Sequence, residues 1–336
     1  MISEFRKDPV SGEWVLIAAG RAARPHPPAE KGNITQSKDL CPFEDLEKNG
    51  NEKPFFTFPS GSEDNWRIAI INNKYPAVTP GACPPIVFRN GYQTASGEGH
   101  HEIVILKDHD RMLTDLSDEE MSNLARVYRD RYRQIALEDA CSQYISIFHN
   151  HGKEGGASLA HPHSQIISVP IIPPDVMRSL EGSERYYSKY GKEAHTIMIM
   201  QEMESRRRIV YDNDRFVAFC PFVSKQPYEI RIYPKFASGH FEETTDDDMK
   251  HFGKALRSVL LKVRDSLGSP AYNFFIHTSP LRSEDNPISF NKCYRWHVEV
   301  IPRVKFDAGF EAATGIKINI IDPDVAASTI NGLNHG

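Results

Sequence analysis

The residue types best able to do chemistry gather in one short run, from Asn150 to Gln165. His161, His163 and Gln165 alternate there, and a strand would point all three to one face. Ahead of them, Gly152, Gly155 and Gly156 leave the backbone without Cβ atoms, so its amides could approach an anion closely, and Ser158 adds a hydroxyl. A neutral imidazole, with an ordinary pKa near ~6.5, can attack phosphorus at neutral pH through its lone pair. Amide and hydroxyl donors would then take up the charge on the non-bridging oxygens. The plain alternative is two surface histidines after a flexible turn. The glycine turn and Gln165 tip the reading toward a phosphate-binding or metal-binding site, with the substrate open.

The elements that must hold such a site are written twice. His101–Leu106 reads as a strand rich in β-branched residues, and Tyr228–Tyr233 reads the same way. Each leads through a histidine-bearing loop (His109; His240) to a helix start. Ser117 and Glu120 have capping-box spacing, with Thr245 to Asp248 a looser counterpart. Met121, Leu124, Tyr128 and Ile135 form one apolar stripe, and Met249, Phe252, Leu256 and Val263 form its match, both facing a core. Strands are predicted at 144–148 and 272–277, then histidine-bearing strands at 161–170 and 295–302, with strands at 67–71 and 215–219 preceding the units. This is an α+β pattern in which each half is an antiparallel sheet with one long helix. The division expected is 1–172, a connector over 173–208, and 209–336. Duplication implies two equivalent sites, one of which can have lost its chemistry.

Bulk properties set limits. The chain has 336 residues, 40% hydrophobic and 25% charged, the composition of an ordinary globular protein. A net charge of -5 argues against a nucleic-acid partner, which would demand a surplus of Lys and Arg. No apolar run reaches the ~20 residues that span a bilayer, and the first residues lack a secretory layout, so no membrane association is expected. Five scattered cysteines argue against a disulfide framework and fit a reducing cytoplasm.

At Phe148-His149-Asn150-His151-Gly152 and His161-Pro162-His163-Ser164-Gln165 the sequence resembles the galactose-1-phosphate uridylyltransferases, a branch of the histidine-triad superfamily. The resemblance runs over nearly the whole chain. It takes in Arg6-Lys7-Asp8-Pro9-Val10, Arg21-Ala22-Ala23-Arg24-Pro25, Cys41-Pro42-Phe43, Tyr294-Arg295-Trp296-His297-Val298-Glu299 and Gly309-Phe310-Glu311, in the family's order. It implies tandem duplicated histidine-triad-like units and a homodimer.

The resemblance also implies roles. His163 falls on the family's nucleophile, which forms a covalent nucleotidyl-histidine in a double displacement, and Gln165 on the glutamine that steadies the phosphoryl oxygens. Asn150, Gly156 and Ser158 match phosphate contacts. Arg21, Arg24 and Asn73 match nucleotide and sugar-phosphate contacts, and Phe310 and Glu311 match sugar contacts. A structural zinc would draw on Cys41, His109 and His161, with Glu44 where the family has a second cysteine. A second divalent metal would fall to His277, His297 and Glu299, with Glu181 a looser candidate. The substrates implied are a nucleotide sugar and a sugar phosphate, with transfer of UMP from UDP-glucose to a hexose 1-phosphate such as galactose 1-phosphate. Gly309-Phe310-Glu311, Thr314-Gly315 and Ile318-Asn319 are also similar to the ADP-glucose phosphorylase branch, which makes adenylyl transfer to phosphate the rival. Outside that class stand a non-catalytic nucleotide- or metal-binding scaffold and a dinucleotide hydrolase.

Overall fold

Ser117 and Thr245 start two long helices in the way their spacing predicts. In a computed structural model, which describes residues 3–23, 34, 36–61, 65–83, 85–281 and 290–333, Ser117 Oγ accepts the Glu120 amide while Glu120 accepts the Ser117 amide. Thr245 and Asp248 close the same reciprocal pair. The helices are α1 (Asp118–Glu138) and, after α2 (Pro174–Tyr190) and α3 (Ala194–Ser205), α4 (Asp246–Leu267). All eight expected stripe residues are buried. α1 and α4 pack side by side, so closely that a Cβ on Gly253 would stand 2.6 Å from Ser122 Cα. Only glycine fits there.

Both helices lie on a ten-stranded sheet. From one edge its order is Ile209–Asp212, Phe216–Phe219, Ile230–Pro234, His297–Pro302 and Tyr272–His277, then Tyr144–His151, His163–Val169, His101–Leu106, Ile68–Asn72 and Phe56–Phe58. The second five repeat the first in reverse, and the halves join where Tyr272–Ile276 pairs antiparallel with Ile147–His151. The duplicated α+β architecture is therefore one continuous sheet. Its helix-facing side, with Ile68, Ile70, Val104, Ile145, Ile147 and Ile166, shares a single core with Ile230, Ile232, Phe274, Val298 and both helices. Alternate residues Ala69, Ile71, Ile103 and Ile105 turn to the other side, against Cys41, Phe43 and Trp66.

Several expectations are revised by the structure. The strand expected over 144–148 runs on to His151, so His149, Asn150 and His151 are paired backbone rather than loop. The following strand starts at His163, because Pro162 has no N–H for a ladder. Cys83 and Cys141 form a disulfide, with Cα atoms 5.3 Å apart, against the expectation from cysteine number and scatter. The segment after Asn73 folds back to the end of α1, a proximity that spacing in sequence cannot show. Glu4–Lys7 and Trp14–Ile17 pair antiparallel, and Lys317–Asn319 pairs in parallel with Trp14–Ile17, so segments from the two ends of the described chain share one sheet. No described helix is long and apolar enough to cross a membrane.

Candidate active site and metal centre

Strand alternation decides which way the reactive run faces. Ser164 and Ile166 look toward the helices, where the Tyr128 hydroxyl of α1 lies 2.6 Å from Ser164 Oγ and His149 Nδ1 lies 3.0 Å from it. His163 and Gln165 turn to the opposite side, opposite Ile105 and Ile103 of the neighbouring strand. His163 is buried, with Phe43 edge-on to its ring at 5.3 Å. Its Nδ1–H donates to the His161 carbonyl at 2.9 Å, which leaves the lone pair on Nε2. Burial pulls the ring below the ordinary histidine range, partly offset by that hydrogen bond, so the neutral form dominates at pH 7.

Gln165 is joined to a residue that the sequence reading passed over. His101 Nε2 lies 2.8 Å from Gln165 Oε1 and 2.9 Å from Asn73 Nδ2, so one ring brings Asn73 and Gln165 together. The only sequence signal was a histidine at the start of a predicted strand. Asn150 accepts a hydrogen bond from Asn273 of the other half at 2.7 Å, and Asn273 also donates to the Gly155 carbonyl.

The glycine turn does not work as expected. Its amides at Gly155, Gly156 and Ala157 donate to the carbonyls of Gly152, Lys153 and Gly152 within the turn, so they are not open to an anion. Gly155 is required for another reason: a Cβ there would lie 2.3 Å from the His151 carbonyl oxygen and 2.8 Å from that of Tyr272. Gly156 and Ser158 sit exposed on its rim.

Other expected residues belong to segments adjoining, in sequence, the strands of the three-stranded sheet. Arg21 is exposed beside the three-stranded sheet, and Phe310 is exposed on the short helix Gly309–Thr314 near it. Glu311 is buried, accepting the Ala308 amide at 3.1 Å and pairing with Lys305, so it caps its own helix. Arg24 lies outside the described residues.

On the same side of the sheet as His163, Cys41 Sγ, Glu44 Oε1, His109 Nδ1 and His161 Nδ1 converge. Cys41 lies 3.5 Å from His161, and Glu44 lies 3.3 Å from His109 and 3.7 Å from His161. Ligand atoms around a tetrahedral zinc, with bonds of about 2.0–2.3 Å, stand about 3.3–3.6 Å apart. Each imidazole spends its other nitrogen on a backbone carbonyl: His161 Nε2–H on Leu106 at 2.6 Å and His109 Nε2–H on Gln36 at 3.1 Å. That is how a metal-binding histidine is oriented. His109 Nδ1, though buried, makes no hydrogen bond within the described residues. The donor set fits a metal ion.

The second expected cluster is differently placed. His277 Nε2 lies 3.6 Å and His297 Nε2 3.9 Å from the Glu299 carboxylate, beside a cavity of about 400 Å³. Arg231 reaches the same carboxylate, Nε to Oε1, at 2.9 Å. Glu181 is not part of this cluster; it is half exposed on α2 beside Arg185.

The relatives place this chain, two like α+β units sharing one sheet, in a nucleotidyltransferase family. The chain belongs to the galactose-1-phosphate uridyl transferase family, whose N-terminal domain matches residues 1–173. A domain of unknown function matches residues 98–333. The chain is 31% identical to the ADP-glucose phosphorylase of Arabidopsis thaliana over 97% of its own length and 92% of that protein. It is 29% identical to the galactose-1-phosphate uridylyltransferase of Thermotoga maritima over 96% of both. The crystal structure of the Arabidopsis thaliana ADP-glucose phosphorylase with bound ADP-glucose superposes with a TM-score of 0.83 at 30% identity, covering 99% of this chain and all (100%) of that one.

Proposed function

We propose that the protein transfers a nucleotidyl group out of a nucleotide sugar, with His163 as the nucleophile. The observation that carries this reading is the His163 ring itself, neutral and with its single proton committed to the His161 carbonyl, so that Nε2 keeps its lone pair. Nε2 attacks the α-phosphorus, an N–P bond forms, and the bond to the bridging oxygen breaks, with the electron pair leaving on the sugar 1-phosphate. In the second half-reaction an acceptor phosphate oxygen attacks the same phosphorus, and the electrons of the N–P bond return to Nε2. Gln165 donates to the non-bridging oxygens through its amide. Asn73, Asn150, Gly156 and Ser158 are the phosphate and sugar-phosphate contacts in this reading. Arg21 and Phe310 serve as nucleotide and sugar contacts in this reading, and the assembly is a homodimer.

The donor set at Cys41, Glu44, His109 and His161 suits zinc, which when bound would supply a fixed positive charge that holds His161 and the strand start. No substrate atom is assigned to it. At the second cluster Arg231 already pairs with Glu299, so this reading assigns the ion to the first cluster alone.

UMP transfer from UDP-glucose to a hexose 1-phosphate is the first reading. Similarity to the Arabidopsis thaliana ADP-glucose phosphorylase favours a second, adenylyl transfer from ADP-glucose to phosphate. The test is intact mass after brief exposure to UDP-glucose or ADP-glucose, followed by each acceptor. A uridylyl adduct discharged by galactose 1-phosphate is the expected result. An adenylyl adduct discharged by phosphate would install the second reading, and no adduct with either sugar would sink both.

A further inference from the structure

An amide side chain is nearly symmetric in shape, yet its two ends do opposite work: the NH2 donates and the oxygen accepts. Gln165 can serve a phosphoryl oxygen only with its NH2 edge toward the substrate. Turned over, it would set an oxygen against an oxygen. We propose that His101 is the positioning residue that fixes this orientation, an inference that rests on the roles given to His163 and Gln165 above.

One donor in this network cannot turn over. The Ala77 backbone N–H lies 2.9 Å from His101 Nδ1, and a backbone amide can only donate. Nδ1 is therefore the acceptor, and the one proton of the neutral ring sits on Nε2. Nε2 lies 2.8 Å from Gln165 Oε1, so the ring N–H donates to the amide oxygen and leaves the NH2 edge free. Asn73 does not compete for that proton. Its Oδ1 takes the Tyr75 amide, so its Nδ2 stands 2.9 Å from Nε2 as a second donor, and with Nε2 protonated that contact is not a hydrogen bond. The pairing of the strands delivers the contact, since His101 sits two residues before Ile103, the direct partner of Gln165.

The C-terminal half shows what happens where there is nothing to orient. Glu229 stands two residues before Arg231, the direct partner of Glu299. Both positions carry carboxylates, whose two oxygens are alike. Glu229 turns instead to the Lys225 and Gln226 amides at 2.6 and 3.1 Å.

His101→Phe keeps the ring volume and removes both nitrogens. Nucleotidylation of His163 should slow by about 10- to 100-fold, while the half-saturating nucleotide-sugar concentration moves by less than about threefold. His101→Gln, whose amide can accept from Ala77 and donate to Gln165, should recover most of that rate. In the His101→Phe background, Gln165→Ala should cost no more than about twofold further, because the two residues act as a unit. A role in packing alone predicts the opposite: full cost of Gln165→Ala in that background and no rescue by glutamine. Either of these results overturns the proposal. Nitrogen NMR of the wild-type ring supplies a readout independent of catalysis. Protonated Nε2 with bare Nδ1 is expected, and the other tautomer would end the inference even in an active enzyme. If this tautomer is seen in a protein that forms no adduct, the reading of His163 has failed and the hydrogen-bond chain has not.

Discussion

His163 and His297 stand at equivalent points of the two halves, each with Nδ1–H on the carbonyl two residues earlier, at 2.9 Å and 3.1 Å. Their surroundings differ in charge. Beside His163 are Gln165, His101 and Ile103; beside His297 the equivalent places hold Glu299, Glu229 and Arg231. Arg231 is buried between Glu299 at 2.9 Å, Glu229 at 2.8 Å and Asp8 at 3.5 Å. A phosphate could find donors in the first setting and would meet carboxylates in the second.

The contrast repeats one layer back. His161 gives Nε2–H to Leu106 and keeps Nδ1 for Cys41 and Glu44, whereas Arg295, its counterpart, gives Nη1–H to Pro234, at the end of the equivalent strand, at 3.1 Å. Its other N–H groups go to Glu193, Thr196 and the Lys235 carbonyl, so all five guanidinium donors are used. One half gathers donors around a place for a cation; the other brings the cation as a side chain. The same backbone thus supports either arrangement, and side-chain charge chooses between them.

The comparison breaks or holds first at the two histidines. His163→Asn should cut nucleotidylation by about 10⁴-fold or more, while His297→Asn should leave a protein that still forms the adduct, both read by intact mass. Loss of the adduct in His297→Asn would show that the halves share one chemistry. Next comes metal content, measured by elemental analysis of the purified chain. One ion per chain is expected, with affinity lowered more than about 100-fold by Cys41→Ser and unchanged by His277→Ala. Two ions, one of them lost with His277→Ala, would show that His277, His297 and Glu299 hold a cation despite Arg231.

The smallest effect concerns His195 of α3, fully buried 5.7 Å from the His297 ring, ring centre to ring centre, and pushed down to about 4 by burial. The unfolded chain takes up this proton near ~6.5 and the folded one refuses it until about pH 4, so stability is complete above that window and falls as pH drops through it. By pH 4 the loss should approach about 3 kcal/mol relative to its neutral-pH value. Denaturant unfolding of His195→Phe across that range should show a correspondingly flatter profile. An unchanged slope would mean that the ring is protonated in the fold.

Much of the scaffold was legible because it is written locally. Ser117 with Glu120, the stripe from Met121 to Ile135 and its echo from Met249 to Val263 each depend on residues within a few turns, and each appears where spacing puts it. The alternation that sends His163 and Gln165 to one side is likewise a property of any strand. Strand limits were less legible: nothing within Tyr144–His151 says where pairing ends, because its partner Tyr272–His277 lies in the other half.

Neighbours along the chain were enough to set the duplicated units, their two capped helices and the strand that carries His163. The folded molecule was needed to show which nitrogen of His163 bears the proton, that the glycine turn spends its own amides, that His101 meets Gln165, and that Cys83 reaches Cys141. The reason is physical. Periodicity and capping are set by neighbours along the chain, whereas a proton's position and a polar group's partner are set by whatever the fold brings within about 3 Å.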